Sequence, residues 1–514
     1  MESNKRGEKI KLEPWKIWLI VGILFGTALL IYGPHFSYPY PFHIDEWHHI
    51  GYAERIIYDQ NYNASVVFSN GNLEIGYHLF LVGLFSVERA VGIDPVLAYK
   101  FLPAFFACIA SLILFFMMFR FTKNYWIGIF SMLFFATLKT NVNFLGLWFA
   151  VPLTFCIPLI FLFFWLFMEG WNKKPWLLGW SALVFFIILF SHACSATFML
   201  PILLIYCLIN NKPLESKKKR WPWLLFFLIP LIVFPLVYFQ FIRKESFIST
   251  LHFIFEKLIF RFGFTPTEPY LMPAIKIALF RKIISIHPYF LPWLYGFGAF
   301  IFAVIGLFVS FKDKKLKMLT VWFLATAALL FLFINFKFTI FAPYQRIVYY
   351  SLLSLAPLSA IGIVWAIEKI RKKEKHANAW IFFIIALTLA LSFYNYYNPP
   401  KGFGLYTMVD NQDYNALKWF GTQTNNSLVI APILLGDAVY PLSRNNALVS
   451  AFFINTDDVR AEIYHFFSDF TCEQKQEIAR KYGANHIISK AQINCSGFEN
   501  IYSAGDYIYK VQNS

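Results

Sequence analysis

Residues 144–168 read FLGLWFAVPLTFCIPLIFLFFWLFM, a run of 25 residues without a charged side chain. Because a bilayer core is about 30 Å thick, roughly 20 apolar residues in one helix are enough to cross it. Comparable runs recur about eleven times, at approximately 16–33, 96–119, 125–140, 144–168, 176–191, 195–210, 222–242, 291–311, 318–336, 347–367 and 378–396. The pattern predicts a multi-pass α-helical membrane protein with about 11 spans.

The composition of the whole chain agrees with this class. Of 514 residues, 58% are hydrophobic and only 14% are charged, compared with about 25% charged in an ordinary soluble domain. A soluble fold of this size could not bury so much apolar surface, and disordered, collagen-like or small disulfide-knotted chains have different compositions. Those classes are therefore excluded.

The positive charge is distributed in a way that predicts membrane orientation. The formal net charge is +16, but Lys and Arg lie in short clusters between apolar runs, such as 217–220 and 369–375. Short basic loops mark the cytoplasmic side of a membrane protein, whereas a nucleic-acid-binding face carries a continuous basic stripe. We therefore expect a protein of the cytoplasmic (cell) membrane with a cytoplasmic N-terminus and no nucleic-acid partner.

This orientation places three segments outside the cytoplasm. They are the outer loops 34–95 and 243–290, which belong to a membrane domain at 1–396, and an extracytoplasmic domain at 397–514. Within the loops, three stretches are too short or too polar to span and are expected to lie in the membrane interface as helices, namely 45–59, 74–91 and 245–260.

The C-terminal segment has a different composition, with more Tyr, Asn, Asp and Gly and shorter apolar runs. Its pattern predicts helices at 411–421, 457–469 and 472–482 and strands at 427–432, 485–490, 498–502 and 506–511. Strands that alternate with helices are typical of a small α/β domain. We therefore predict a multi-pass helical membrane protein with a small extracytoplasmic α/β domain.

The densest polar cluster of the first outer loop is His43-Ile44-Asp45-Glu46-Trp47-His48-His49. A carboxylate here could accept a proton from an incoming hydroxyl group, while its neighbour binds a sugar hydroxyl or a metal. The histidines could hold a phosphate or coordinate a metal. The alternative is a polar helix cap at a wet interface, because acidic residues also favour a helix N-terminus.

Three further polar residues lie at the predicted level of the membrane, where an ionised side chain costs free energy. His192 lies between two predicted spans and could bind a phosphate or a lipid headgroup, or simply be a satisfied interface histidine. Arg346, which follows Tyr344, opens a span on the outer side and would suit an anionic ligand, the alternative being a snorkelling side chain. Arg261 of the second outer loop is a further candidate phosphate ligand.

These features together describe an outward-facing site with carboxylates, cations and aromatic residues near the lipid boundary, which suits an anionic, lipid-linked substrate. The sequence has no GxxxxGK[ST] loop, no GxGxxG after a strand, no GxSxG elbow and no HExxH pair, so nucleotide-binding, α/β-hydrolase and zinc-protease chemistry are not indicated. A transporter usually carries its charged site at the bilayer midplane, whereas the charged residues here lie at the predicted outer face.

At this level the chain resembles the integral-membrane glycosyltransferases of the GT-C superfamily, which include protein O-mannosyltransferases, aminoarabinose transferases and oligosaccharyltransferases. The matching features are the acidic pair Asp45-Glu46 soon after the first span, two interfacial helices after it, Ser191-His192 before a new span, Gln345-Arg346 at the start of a late span, and the outer segment 416–444.

The resemblance implies inverting transfer of a sugar from a polyprenyl-phosphate carrier, such as dolichol phosphate, to a protein, lipid or glycan acceptor outside the cytoplasm. It implies Asp45 as general base and Glu46 in support. It also implies that His192, Arg346 and Arg261 stabilise the leaving phosphate. The full predicted substrate- and phosphate-binding set adds His43, His48, His49 and Tyr344, and membrane lipids are further partners. A required cofactor is not indicated, although Mg²⁺ or Mn²⁺ at Asp45 is compatible with the family.

The departures from the family pattern favour transfer of a single sugar. The oligosaccharyltransferase motif W-W-D-Y-G is absent, a second acidic motif is replaced by Asn141 and Asn143, and only Thr265-Pro266-Thr267-Glu268 loosely resembles the T-x-x-E loop. Glycan polymerisation, a lipid-linked sugar flippase and a non-catalytic protein of glycan assembly are the alternatives. Cys472 and Cys495 are expected to form a disulfide, which that compartment permits.

Overall fold

The computed structural model describes residues 13–59, 74–140, 146–209, 259–261, 290–313, 315–336, 338–373, 376–397, 408–450 and 457–512, with Phe227 and Ile248 as isolated positions. Several predictions concern other parts of the chain and lie outside the described residues. These are the span at 222–242, nearly all of the helix at 245–260, the positions of Asn141 and Asn143, and the motif at 265–268.

The first part of the chain is helical. After α1 (Pro14–Tyr32) and a short 3-10 turn (Gly33–Phe36), the first outer loop forms α2 (Ile44–Tyr58), α3 (Ile75–Ala90) and α4 (Pro95–Tyr99). The helices that follow are α5 (Leu102–Thr122), α6 (Tyr125–Ala136), α7 (Pro152–Asn172), α8 (Leu177–Ser191) and α9 (Ala193–Ile209). The predicted interfacial helices at 45–59 and 74–91 are thus confirmed as helices.

The second part begins with β1 (Ile259–Arg261) and then returns to helices, α10 (Phe290–Tyr295), α11 (Phe297–Lys312) and α12 (Lys317–Phe336). Strand β2 (Phe338–Ile340) pairs with β1 in antiparallel register, with Arg261 opposite Phe338. Two long helices follow, α13 (Tyr344–Lys373) and α14 (Ala377–Tyr397).

Six stretches among the described residues are long and apolar enough to cross a membrane: Pro14–Phe36, Pro95–Thr122, Pro152–Asn172, Lys317–Phe336, Tyr344–Lys372 and Ala377–Tyr394. Four shorter apolar helices, α6, α8, α9 and α11, accompany them. The chain is therefore a multi-pass helical membrane protein, and the number of about 11 spans stays a prediction.

One span begins later than the sequence pattern predicts. The apolar run starts at residue 144, but α7 starts at Pro152, preceded by an extended Val151. Proline lacks an N–H and fixes φ, which suits the first helical position and disfavours helical geometry in the residue before it. Residues 146–151 are thereby left as an irregular segment that the site uses.

Helices α11 and α13 approach each other closely because each presents a glycine at the crossing. A Cβ atom on Gly306 would collide with the carbonyl oxygen of Leu358, and one on Gly362 would collide with that of Phe302. Small residues allow two membrane helices to pack backbone against backbone. This contact supports α13, which carries Arg346 near its N-terminal end.

In its described residues, the C-terminal segment forms a mixed five-stranded sheet with four helices. Its elements are α15 (Asn411–Gln423), β3 (Leu428–Ile430), α16 (Gly436–Ser443), β4 (Asn446–Ala447), α17 (Asp457–Ser468), α18 (Cys472–Tyr482), β5 (His486–Ser489), β6 (Phe498–Tyr502) and β7 (Tyr507–Val511). The strand order is β4-β3-β5-β7-β6, parallel through β4, β3 and β5 and antiparallel beyond. The predicted small α/β fold is confirmed, while α16 and β4 were not predicted.

The C-terminal residues 408–450 and 457–512, here called the sheet segment, share one apolar core with the first outer loop. Trp47 and Ile50 of α2 are fully buried in the same cluster as Val439 and Leu442 of α16. The hydroxyl of Tyr40 also donates to Asn411 at the start of α15, at 2.8 Å. The sheet segment is therefore packed directly against the helix that carries Asp45. The predicted disulfide between Cys472 and Cys495 is confirmed.

Candidate functional site

The site is built around the first turn of α2. His43 is the N-cap, and its Nδ1 accepts the backbone N–H of Asp45 at 3.1 Å. His43 and Glu46 together form a capping box, which satisfies N–H groups that the first turn of a helix leaves open. Because Nδ1 of His43 accepts this N–H, it cannot also donate to the Asp45 carboxylate 3.5 Å away.

Glu46 lies behind this turn and braces it. Its Oε2 accepts the backbone N–H groups of Phe42 and His43, each at 2.9 Å, and its Oε1 accepts that of Ala150 at 2.8 Å. Burial raises the pKa of Glu46 to about 7, although the three N–H donors favour the ionised form. The carboxyl group thus joins the α2 turn to the irregular segment before α7.

In front of the turn lies a cavity of about 210 Å³, here called the site cavity. Four elements supply ionisable groups to it: the α2 turn, the start of α3, the α8–α9 junction and the start of α13. Its lining consists of Asp45, His48, His49, Glu74, Val151, Pro152, Leu153, His192 and Arg346. The arrangement therefore combines two carboxylates with an arginine and three imidazoles.

The two carboxylates differ in their electrostatic surroundings. The side chain of Asp45 is 22% exposed, and that of Glu74 is 33% exposed. Desolvation by the surrounding protein raises the pKa of Glu74 to about 7, the negative charge of Asp45 adds to this increase, and Arg346 opposes it. Glu74 can therefore change its charge near neutral pH, which makes it a candidate proton carrier.

Two buried histidines form one side of this arrangement. Nδ1 of His49 lies 3.0 Å from Nε2 of His78, and Nε2 of His49 lies 3.9 Å from Glu74. Burial lowers the pKa of His49 well below its usual range and that of His78 to about 3. Both rings are therefore neutral near pH 7, and one N–H is shared between them.

The opposite side is formed by a hydrogen-bonded chain that reaches α13. Nδ1 of His192 lies 2.7 Å from the Ser195 hydroxyl, which lies 2.7 Å from the hydroxyl of Tyr350. Tyr350 is one helical turn after Arg346 and therefore on the same face of α13. These hydrogen bonds hold His192 beside Arg346. They leave Nε2 of His192 as the ring nitrogen that can meet a ligand.

The sheet segment also reaches the site cavity. His48 lines the cavity, and its Nδ1 lies 3.9 Å from Oδ1 of Asp437 in α16. The Asp437 side chain is almost fully buried. A carboxylate that faces one imidazole nitrogen can set the orientation of the ring.

The structure brings five predicted residues into one cavity: Asp45, His48, His49, His192 and Arg346. The others lie elsewhere. His43 caps α2 and Glu46 braces it, Tyr344 is buried with its ring stacked on Phe333, and Arg261 lies in β1, where only its backbone is described. The roles predicted for these residues stay predictions.

Three residues were missed by the sequence reasoning: Glu74, His78 and Asp437. The signal for Glu74 was present, because an acidic residue stands at the start of the predicted helix 74–91, as Asp45 does at the start of α2. His78 follows one turn later. Nothing in the local sequence marks Asp437, which reaches the site through the packing of α16 on α2.

The same residues are the candidates for holding a divalent metal. Asp45 and Glu74 would supply oxygen ligands, which Mg²⁺ and Mn²⁺ prefer. Among the described residues, however, no group of three or more His, Cys, Asp or Glu side chains is placed to hold a metal ion. The described donors therefore do not form a ready metal site.

No family model matches the chain, and no curated protein matches its sequence. Solved structures of the Archaeoglobus fulgidus oligosaccharyltransferase do share its fold. The enzyme tethered to an acceptor peptide containing the NVT sequon has a TM-score of 0.53 at 13% identity, over 93% of this chain and 69% of that one. Its complex with Zn and sulfate gives 0.54 at 12% identity, over 95% and 73%.

A third structure is that of the archaeal oligosaccharyltransferase AglB from Archaeoglobus fulgidus in complex with an inhibitory peptide and a dolichol-phosphate. It gives a TM-score of 0.52 at 12% identity, over 93% of this chain and 70% of that one. Identities this low establish a common fold only. The fold that the resemblance to oligosaccharyltransferases predicted is thereby confirmed.

Proposed function

We propose that the chain is a membrane glycosyltransferase that moves a sugar from a polyprenyl-phosphate carrier to an acceptor outside the cytoplasm. The observation that carries the proposal is the site cavity, in which a carboxylate of the α2 turn faces an arginine and a histidine of other helices. The shared fold supports it, because one oligosaccharyltransferase of that fold was solved with a dolichol-phosphate.

In this proposal Asp45 is the general base. It accepts the proton of the acceptor hydroxyl or amide as the acceptor atom forms a bond to the anomeric carbon. The bond between that carbon and the carrier phosphate oxygen breaks, and the phosphate leaves with the electron pair. A single displacement of this kind inverts the anomeric centre.

Arg346 and His192 are proposed to bind the leaving phosphate. An arginine presents several N–H donors in a fixed plane and is the side chain best suited to a phosphate. Fixed donors that meet developing negative charge lower the barrier, since they need no reorganisation during the reaction. His192 is held beside Arg346 by Ser195 and Tyr350, so its orientation is set before the substrate binds.

The location and domain division are part of the same proposal. The cytoplasmic membrane would hold residues 1–396, with the N-terminus inside and residues 397–514 outside. The disulfide between Cys472 and Cys495 supports an outside position for the sheet segment, because disulfides persist in oxidising compartments. Single-sugar donors are favoured over oligosaccharide donors, because the motif W-W-D-Y-G is absent and Asn141 and Asn143 replace a second acidic motif.

The test is the release of free polyprenyl phosphate. Purified chain would be incubated with polyprenyl-phosphate and polyprenyl-diphosphate sugars and a membrane acceptor fraction. We expect release by the wild type and a loss of roughly 10²- to 10⁴-fold in Asp45→Asn, the usual contribution of a general base. Asp59→Asn is the matched control, because Asp59 is the C-cap at the other end of the same helix.

Two results would contradict the proposal. One is equal release by Asp45→Asn and the wild type. The other is the absence of release from every donor while translocation of a lipid-linked sugar across vesicles is intact, which would identify a flippase.

A further inference from the structure

A second cavity lies at the other end of α2, between the α3–α4 turn and the sheet segment. It measures about 330 Å³, compared with about 210 Å³ for the site cavity. Here it is called the rim cavity. Its ionisable lining residues are Glu54, Arg89, Asp94, Lys418 and Arg444, so it contains three cations and two carboxylates.

Two of the three cations are paired within the protein. Arg89 donates to the buried Glu54, and Lys418 lies 2.7 Å from Asp94. Arg444 has no carboxylate within ion-pair distance among the described residues and instead lies 3.6 Å from the ring centre of Tyr58. The lining therefore carries one positive charge more than its carboxylates neutralise.

The backbone conformation of Arg444 decides which substitution can test its side chain. It caps the C-terminus of α16 with φ 58° and ψ 22°, a left-handed conformation that usually belongs to glycine or asparagine. A residue with a Cβ atom is strained there, whereas glycine is not. Glycine can therefore replace Arg444 and remove the guanidinium group while the cap is kept.

A second arginine has spare hydrogen-bonding capacity beside the same cavity. Nη1 of Arg89 is buried and has no hydrogen-bond partner among the described residues, although the same guanidinium donates to Glu54 through Nη2. A buried donor without an acceptor costs free energy. An oxyanion in the rim cavity would supply an acceptor on that side.

The edge of the rim cavity is apolar and open. Val91 is 65% exposed and Ile93, which lines the cavity, is 49% exposed. Exposed aliphatic residues beside a cationic cavity are suited to a membrane interface, where chains contact lipid and cations contact phosphate.

We propose that the rim cavity is a binding site for a phosphate group, with Arg444 as its principal ligand. The phosphate belongs either to an anionic lipid headgroup or to free phosphate. The site is separate from the site cavity, and the inference does not rest on the proposed glycosyltransferase activity.

The experiment measures the thermal unfolding midpoint of the purified full chain in neutral detergent. One arm adds inorganic phosphate at constant ionic strength, and the other adds phosphatidylglycerol in comparison with phosphatidylcholine. The test variant is Arg444→Gly, which suits the left-handed cap and is expected to fold. The matched control is Lys123→Gly, because Lys123 has a similar left-handed cap conformation with φ 59° at the end of α5.

We expect a saturable rise of the midpoint in the wild type and in Lys123→Gly, with an apparent affinity at least tenfold weaker in Arg444→Gly. A rise with inorganic phosphate identifies a free-phosphate site, and a rise with phosphatidylglycerol alone identifies a headgroup site. We also expect Arg346→Met to keep the part of the midpoint rise that Arg444→Gly loses, because Arg346 lines the site cavity and not the rim cavity. Equal responses of the wild type and Arg444→Gly in both arms would overturn the proposal, since general salting-out acts on both alike.

Discussion

The two ends of α2 use acidic residues in different ways. At its N-terminal end, Asp45 lies in the site cavity with Glu74, and the histidine–carboxylate distances there are 3.5 to 3.9 Å. At its C-terminal end, Glu54 is nearly fully buried in direct contact with Arg89. The first end keeps Asp45 and Glu74 accessible, whereas the second closes Glu54 in an ion pair.

This difference separates groups that support the structure from groups that can react. A carboxylate in a close, buried ion pair is expensive to disturb and is poorly placed to accept a substrate proton. Asp45 is partly exposed to the cavity, and its neighbour Glu46 provides the rigid frame through three backbone N–H groups. Substitutions at the two ends should therefore affect different measurements.

The largest effect on stability is expected for Glu46→Ala. The substitution leaves the N–H groups of Phe42, His43 and Ala150 without their acceptor in a buried place. At about 1–3 kcal/mol for each unsatisfied group, we expect a loss of about 4 kcal/mol in the free energy of unfolding, measured by chemical denaturation in detergent.

Glu46→Gln is the informative companion. Glutamine can accept the N–H groups of Phe42 and His43 through its oxygen, but its NH₂ group would then face the N–H of Ala150. We expect a loss of about 1–3 kcal/mol, intermediate between alanine and the wild type. Equal stability of the wild type and Glu46→Ala would show that Glu46 does not brace the turn.

The second effect is expected at the other end of α2. Arg89→Met leaves the Glu54 carboxylate buried without its partner, which usually costs about 3–5 kcal/mol and less if the carboxyl becomes protonated. Because burial already raises the pKa of Glu54, protonation is accessible, and we expect about 3 kcal/mol from the same denaturation measurement. Release of polyprenyl phosphate per folded molecule should stay at the wild-type level, and a loss of release with unchanged stability would reverse the contrast between the two ends.

The fold could be predicted from the sequence where local signals coincide. Helix α18 was predicted at 472–482 and runs from Cys472 to Tyr482, because Thr471 caps its start and Gly483 ends it in a left-handed conformation. Helix α16 was missed because it is only eight residues long and contains Pro441. Strand β4 has two residues and is defined by its pairing with β3, which no local pattern encodes.

The site was predictable in residue type but not in geometry. Asp45 was singled out by the density of polar residues around it, and His192 and Arg346 because a polar or ionised group at membrane level is costly. All three line one cavity. The contrast between Asp45 and Glu46 depends on Ala150, which is 104 residues away from Glu46 along the chain. Contacts of that kind follow from tertiary packing and are invisible in a single sequence.

The third effect concerns pH. Because the pKa of Glu74 is raised to about 7, its carboxyl is neutral below that pH and becomes negative as the pH rises through it. A new negative charge in the site cavity repels a phosphate, so the proposed donor site should bind polyprenyl phosphate more weakly at pH 8 than at pH 6. We expect roughly a three- to tenfold change in Kd attributable to Glu74.

Glu74→Gln provides the control, because polyprenyl phosphate itself titrates in this range and the difference between variant and wild type removes that contribution. The ratio of the two Kd values should be near one at pH 6 and largest at pH 8. The stability of the folded protein gives an independent check. Because the pKa of Glu74 is raised from 4.5 to about 7, the folded state binds more protons than the unfolded state between these two pH values. Stability from this group therefore falls as the pH rises through that window, and a ratio independent of pH would reject the assignment.

The smallest effect is expected for Lys418→Met, which sharpens the comparison within the rim cavity itself. Lys418 and Asp94 approach to 2.7 Å, closely enough for a strong ion pair, but their side chains are 38% and 26% exposed. Water can replace the lysine, and Asp94 keeps the Tyr414 hydroxyl at 2.9 Å and the backbone N–H of Val96. We expect a loss below about 1 kcal/mol in the same denaturation measurement, several times smaller than for Arg89→Met. The two ion pairs lie in one cavity and differ chiefly in their exposure to water. Equal losses in the free energy of unfolding for Lys418→Met and Arg89→Met would therefore show that burial does not decide the strength of these pairs.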